Sequence, residues 1–180
     1  MKNFCLLNPN EITMDIIKEV LNIESNVYPV NEQQSLRLCI ENFNVNPNIY
    51  FIFKDLDNGK IVGNIDICPV TDECYEEIKS GVFKDSNITS DMIVSYRKNL
   101  NECYDLYFEG ITIREEYRNS GLLFFMFKGL NRFFNRDICV RRIIADAVTD
   151  NGIRLCKMFR MKEICRTDHN SIIFEKHIIM

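Results

Sequence analysis

Histidine, proline and glycine are scarce in this chain of 180 residues, with two, four and seven copies. Cysteine is plentiful, but Cys5, Cys39, Cys68, Cys74, Cys103, Cys139, Cys156 and Cys165 include no Cys-x-x-Cys pair. With only two histidines to help, these spacings disfavour a zinc site, and no metal is expected. No apolar run approaches the roughly 20 residues of a membrane span, so no membrane partner is expected. The opening MKNFCLLNPNEITMD carries one lysine and a very short apolar run, unlike a secretory signal. The expected location is therefore cytoplasmic, where cysteines in contexts such as RLCI and DICV act as small reduced hydrophobes. A net charge of −4 without a basic stripe argues against nucleic acid as the main partner. Walker and dinucleotide glycine patterns are missing too, which disfavours a nucleotide-binding domain.

What remains is an ordinary globular composition, 46% hydrophobic and 27% charged, without repeats or linkers. It reads as one domain spanning residues 1–180. Residues 2–8 read as a strand. Asn8-Pro9 is a helix-start signal, followed by an apolar stripe of Ile12, Ile16, Val20 and Ile23. A second helix is expected after Asn31, with Gln34 completing a capping box and Leu36, Leu38, Ile40 and Phe43 on its apolar face. NIYFIFKD and KIVGNIDI, joined through Asn58-Gly59, form a hairpin. Thr71 caps a short helix ending before Gly81, and Asp91–Lys98 reads as another. Arg142–Val148 is a buried strand, Thr149 opens a short helix, and the chain closes in a hairpin turning at His169-Asn170.

The stretch from Tyr104 to Asn135 organises the rest. Tyr107, Phe108, Ile111, Thr112 and Ile113 form a buried strand, and Leu123, Phe127, Leu130 and Phe134 recur at helical spacing. Between them lies the turn Arg118-Asn119-Ser120-Gly121. A helix starting at such a turn leaves its first N–H groups unpaired beside a partial positive charge, which suits a phosphate.

ITIREEYRNSGLL resembles the acyl-CoA segment of the GNAT family of N-acyltransferases, a strand leading into Arg/Gln-x-x-Gly-x-Gly/Ala. Arg118, Asn119, Ser120 and Gly121 match the first four positions, Leu122 is the free one, and Leu123 stands where a small residue is usual. TDNGIRLCKMFRMKEI is similar to the family's Asn-x-x-Ala-x-x-Leu-Tyr-x-x-x-Gly-Phe. There Leu155 matches, Thr149 replaces Asn, Cys156 falls in the Tyr slot, Arg160 in the Gly slot and Met161 in the Phe slot. The resemblance implies an α/β fold with a twisted mixed sheet of about seven strands flanked by helices. It also marks residues 69–101 as an insertion between the third and fourth strands. Six acids lie within residues 71–100 (Asp72, Glu73, Glu76, Glu77, Asp85, Asp91) against Lys79, Lys84, Arg97 and Lys98. The segment reads either as a solvated excursion or as a lid selecting a cationic acceptor.

The implied activity is acyl transfer from acetyl-CoA to a primary amine of a small molecule, peptide or protein, by direct transfer in a ternary complex. A homodimer is the family expectation. Departures at Leu123, Thr149, Cys156 and Arg160 leave a second reading, a catalytically inactive domain that senses CoA or binds proteins. The resemblance assigns the phosphates to Arg118–Leu123, the pantetheine arm to the backbone of Ile111, Thr112 and Ile113, and a further cofactor contact to Thr149. Glu109, nine residues before Arg118, takes the general-base position. A carboxylate on an apolar strand is costly to bury unless paired or shifted upward. Glu109 is therefore the base, or a residue on a solvated edge, or one partner of an ion pair. For the general acid, Cys156 competes with a plain core role, and Tyr107 or Tyr117 are the alternatives.

Overall fold

A computed structural model describes residues 3–84, 87–97, 102–135, 138–168 and 170–178, and of Asn31 the backbone alone. Asp85, Lys98, His169 and the proposed cap by the Asn31 side chain lie outside the described residues. Seven strands form one mixed sheet: β1 (Phe4–Leu6), β2 (Tyr50–Asp55), β3 (Ile61–Val70), β4 (Cys103–Ile113), β5 (Cys139–Ala147), β6 (Lys162–Arg166) and β7 (Ile172–His177). Their spatial order is β1-β2-β3-β4-β5-β7-β6. Only β4 and β5 run parallel; the other neighbours are antiparallel.

Helices α1 (Met14–Glu24), α2 (Leu36–Val45) and α3 (Asp72–Lys79) share one core with Ile52, Tyr107, Ile144 and Ile173. Helix α4 (Leu122–Phe134) packs Leu122, Met126 and Leu130 against Phe53, Ile65 and Leu106 in a second core. Helix α5 (Asp150–Met158) lies over Ala145, Ile172 and Phe174. Strand alternation explains the layers, since neighbouring residues point to opposite faces and both faces are covered.

The helix starts differ from the sequence expectation. Asn8-Pro9 opens a 3-10 turn closed by Glu11, whose carboxylate accepts from the Asn8 N–H at 2.7 Å, while α1 begins at Met14 with Thr13 as its cap. Likewise α2 begins only at Leu36, where Ser35 caps it by accepting from the Leu38 N–H at 3.2 Å. On α4 the fully buried residues are Leu122, Met126 and Leu130: Leu130 is as predicted, Phe127 and Phe134 are half-buried on the same core, and Leu123 is 38% and Phe124 78% exposed. Phenylalanine and leucine occupy every turn there, so several faces of the helix satisfied the apolar pattern equally.

The expected helix at Asp91–Lys98 is replaced by one 3-10 turn, Ser90–Met92, and an extended run. Ile93 bridges Val70, and the Val94 N–H donates to the Pro69 carbonyl at 2.8 Å. Pairing with the end of β3 satisfies that backbone and buries Ile93, which outweighs a weak local helical pattern. In the described part of the acidic segment Asp72, Glu73, Glu76, Glu77 and Asp91 are exposed, while the apolar side chains between them pack inward. Thr71 caps α3, whose Cys74, Tyr75 and Ile78 complete the first core. Asp72 is paired with Arg141, and Glu76 with Arg142 at 2.8 Å.

One cysteine expectation is corrected. Cys103 and Cys139, facing partners at the start of the β4–β5 ladder, form a disulfide. The context DICV gave no hint of this, because the partner is brought alongside only by strand pairing.

Candidate active site

Strands β4 and β5 pair from Cys103/Cys139 to Phe108/Ala145 and then part, although β4 runs on to Ile113 and β5 to Ala147. The cleft where they part is the cavity of interest, walled by the end of α1, the α1–α2 connection, β3, β4, β5 and the start of α5. No described residue of 71–97 lines it.

A β-bulge marks the same point. Asp66 pairs with Gly110 and Ile67 with Phe108, so Glu109 is the extra residue on β4. A bulge re-aims a side chain and bends its strand. Here it turns Glu109 into the cavity, where its carboxylate accepts from the Cys68 thiol at 2.9 Å and from Gln34 Nε2 at 3.3 Å. Desolvation pushes the Glu109 carboxyl up to about 7 and nearby Glu24 adds to the rise, against the opposing pull of those two hydrogen bonds. Glu109 is neither on a solvated edge nor in an ion pair among the described residues.

Beyond the bulge, the Arg114 N–H donates to the Val62 carbonyl at 2.9 Å. That register turns the backbone of Thr112, opposite Asn64, toward β3, and turns the backbones of Ile111 and Ile113 toward the cleft. Thr112 is itself buried. Tyr28, from the α1–α2 connection, closes this edge: its hydroxyl accepts from the Ile111 N–H and donates to the Ile111 carbonyl, each at 3.3 Å. Gly110 makes room for it, since a Cβ there would lie 2.9 Å from Tyr28 Oη.

The turn before α4 contains two left-handed residues, Asn119 at φ 68° and Gly121 at φ 81°. The N–H of Arg118 goes to the Glu115 carbonyl, and the N–H and hydroxyl of Ser120 both go to the Tyr117 carbonyl. The N–H groups of Asn119, Gly121, Leu122, Leu123 and Phe124 find no acceptor among the described residues. Such successive donors at a helix start make an anion-binding concavity. A Cβ built on Gly121 would meet nothing within 4 Å, so the concavity is open to solvent. Leu123 turns outward and does not block it.

Thr149 and Cys156 lie on the opposite wall. Thr149 caps α5, accepting from the Gly152 N–H at 3.1 Å. Burial pushes the Cys156 thiol up to about 11, with a smaller contribution from Asp146. Neither tyrosine alternative lines the cavity: Tyr107 is sealed in the core, and the Tyr117 hydroxyl donates to Asp55 at 2.8 Å. Among the described residues no group of three or more His, Cys, Asp and Glu side chains is placed to hold a metal, and no helix is long and apolar enough to cross a membrane.

Sequence reasoning missed Glu24, Tyr28, Gln34, Asn64, Asp66 and Cys68. One signal was present: in IVGNIDIC, polar or sulfur side chains recur at every second residue, Asn64, Asp66 and Cys68, on a strand buried throughout. Polar groups in phase on one face of a buried strand point to a shared purpose.

No family model and no curated protein matches the sequence. Solved structures do match along the full chain. The loading GNATL domain of CurA from Lyngbya majuscula has a TM-score of 0.64 at 12% identity, covering 97% of this chain and 98% of that one. Ard1 from Thermoplasma volcanium gives 0.60 at 11%, with 99% of each chain covered. A GNAT-like decarboxylase, GphF, in complex with isobutyryl-CoA gives 0.63 at 9%, covering 97% and 98%.

Proposed function

From the GNAT fold that this chain has, we propose that it is an acyl-CoA-dependent N-acyltransferase moving an acetyl group to a primary amine. The observation that carries the reading is Glu109, placed by a bulge at the parting of β4 and β5 with its carboxyl pushed up to about 7. A base with a pKa near the working pH is suited to taking a proton from an ammonium.

Acyl-CoA supplies an activated thioester carbonyl. The unpaired N–H groups of Asn119 and Gly121–Phe124 would hold its phosphates. The cleft-facing backbones of Ile111 and Ile113 would pair with the pantetheine arm in place of the Tyr28 hydroxyl. Glu109 takes the proton from the acceptor ammonium, and the walls exclude water from the exchange. Cys156 keeps its proton at neutral pH and holds it on the facing wall, available to the leaving thiolate.

Thermal unfolding with acetyl-CoA, desulfo-CoA and ATP tests the donor site. Ligand at roughly 100 times its Kd adds about 2.7 kcal/mol, a rise of several degrees. Both CoA compounds should give it, ATP should not, and Gly121→Trp should abolish it. Without a shift at millimolar CoA compound the reading fails.

A further inference from the structure

We infer that the cavity takes an acceptor with two ammonium groups, a short aliphatic diamine or polyamine, whose non-reacting ammonium is held by the carboxyl pair Glu24–Asp66. This rests on the acyltransfer reading for its chemistry, not for its binding.

Five carboxyl side chains line the cavity, those of Glu24, Glu32, Asp66, Glu109 and Asp146, and no Lys, Arg or His does so among the described residues. Elsewhere Asp105 is met by Arg141 and Arg142 and Glu175 by Lys79, while buried Asp55 takes the Tyr117 hydroxyl, the Asn58 amide and the Asp57 N–H. Here the shared partner is Asn64, fully buried, whose Nδ2 donates to Glu24 at 2.7 Å and to Asp66 at 2.8 Å. An amide can hold two carboxyls together but cannot neutralise them. Asp66 Oδ1, buried on the cavity wall, is reached by no amide, hydroxyl or cation of a described residue, and its carboxyl faces that of Glu24. Two apposed carboxyls in so dry a place need positive charge between them. In the free protein a proton serves, since burial and then the proximity of Glu24 push Asp66 well above the usual carboxylate range. A ligand ammonium would serve the same need, with N–H donors for both carboxyls.

Asp66 is the cross-strand partner of Gly110, beside the bulge that presents Glu109. The pair and the base therefore stand on neighbouring strands of one cavity, as two separate carboxyl sites. Val20 and Ile52 supply apolar wall for the connecting methylenes. A peptide N-terminus fits less well, because its single ammonium would be spent at Glu109 and neutral amides would face Glu24–Asp66.

Calorimetry on the full chain without CoA compares putrescine, butylamine and a tetrapeptide with a free N-terminus. Putrescine should bind at least about tenfold tighter than butylamine, the factor for one compensated charge pair worth roughly 1.4 kcal/mol. Asp66→Asn and Glu24→Gln should each remove that preference. If one variant fails to unfold cooperatively, the other carries the test. Equal affinities for the two amines, a preference surviving substitution, or tighter binding of the tetrapeptide would overturn the inference. Thermal stabilisation by acetyl-CoA is scored separately. Stabilisation without diamine preference sinks the acceptor assignment alone, and diamine preference without stabilisation sinks only the acyltransfer reading.

Discussion

Asp105 and Glu109 stand on the same strand, four residues apart, and are treated in opposite ways. At Asp105 the strand is bolted down: β5 pairs alongside, α3 packs above, the Cys103–Cys139 disulfide closes the end, and two guanidiniums grip the carboxylate at 2.7–2.9 Å. Burial opposes ionisation of Asp105, but Arg141 and Arg142 outweigh it and hold the carboxyl below the usual range. Arg142 is itself stacked 3.8 Å over the Tyr75 ring. At Glu109 the neighbouring strand has left, no cation pairs with it among the described residues, and burial pushes the carboxyl up to about 7. Two carboxyls inside one sheet thus sit in opposite electrostatic settings, and the proposed function uses only the second for proton exchange. The presence of arginine separates them.

The contrast breaks most visibly at Asp105. Asp105→Ala strands two arginines at a packed site and should cost about 3–5 kcal/mol in urea unfolding. At the other end, Glu109→Gln should leave acetyl-CoA affinity intact while lowering kcat/KM on the order of 10³-fold in steady-state assays. Reducing the disulfide, or replacing Cys103 with Ser, should lower stability by about 2–4 kcal/mol in calorimetric unfolding. Acetyl-CoA affinity should not change, because the bond lies at the end of β4 remote from the cleft.

Smaller effects sharpen the comparison. Activity needs ionised Glu109, so kcat/KM should rise with pH and level off above about 7. Stability runs the other way. Folded Glu109 keeps its proton up to about 7, while the unfolded chain releases it near an ordinary glutamate value of about 4.3. The folded state then binds more protons between those values, and stability falls as pH rises through the window. Glu109→Gln should remove part of that slope in denaturation series at several pH values. Smallest of all, Cys68→Ala deletes a hydrogen bond that favours the ionised carboxylate, and should move the kinetic pKa upward by less than about one unit.

The signals that were legible in the sequence are short-range ones. Asn58-Gly59 fixed its hairpin, with Gly59 at φ 76°, because only a left-handed turn residue closes it without strain. Thr71 and Thr149 announced their helices because a hydroxyl cap acts within three residues. Glu109 stood out as a carboxylate on an apolar strand. What stayed hidden depends on distant pairing. The Cys103–Cys139 bond joins residues 36 apart in sequence. The contact of Glu24 with Asn64 and Asp66 joins α1 to β3, and Tyr28 reaches an edge 83 residues away. The helix expected over Asp91–Lys98 did not form in its described part because β3, not the local pattern, decides that run.

The hydroxyl of Tyr28 has a consequence for life in a crowded solution. Where β5 departs, β4 becomes a sheet edge inside the molecule, and such edges recruit foreign strands. With Tyr28 seated on both backbone groups of Ile111, that edge is blunted until a rightful guest displaces it. The displacement exchanges hydrogen bonds one for one and so releases little net energy. Tight binding of the guest must therefore be secured elsewhere along its length, and a chain that offers only a backbone gains little by intruding. A single phenol thus sets the terms on which that edge can be entered.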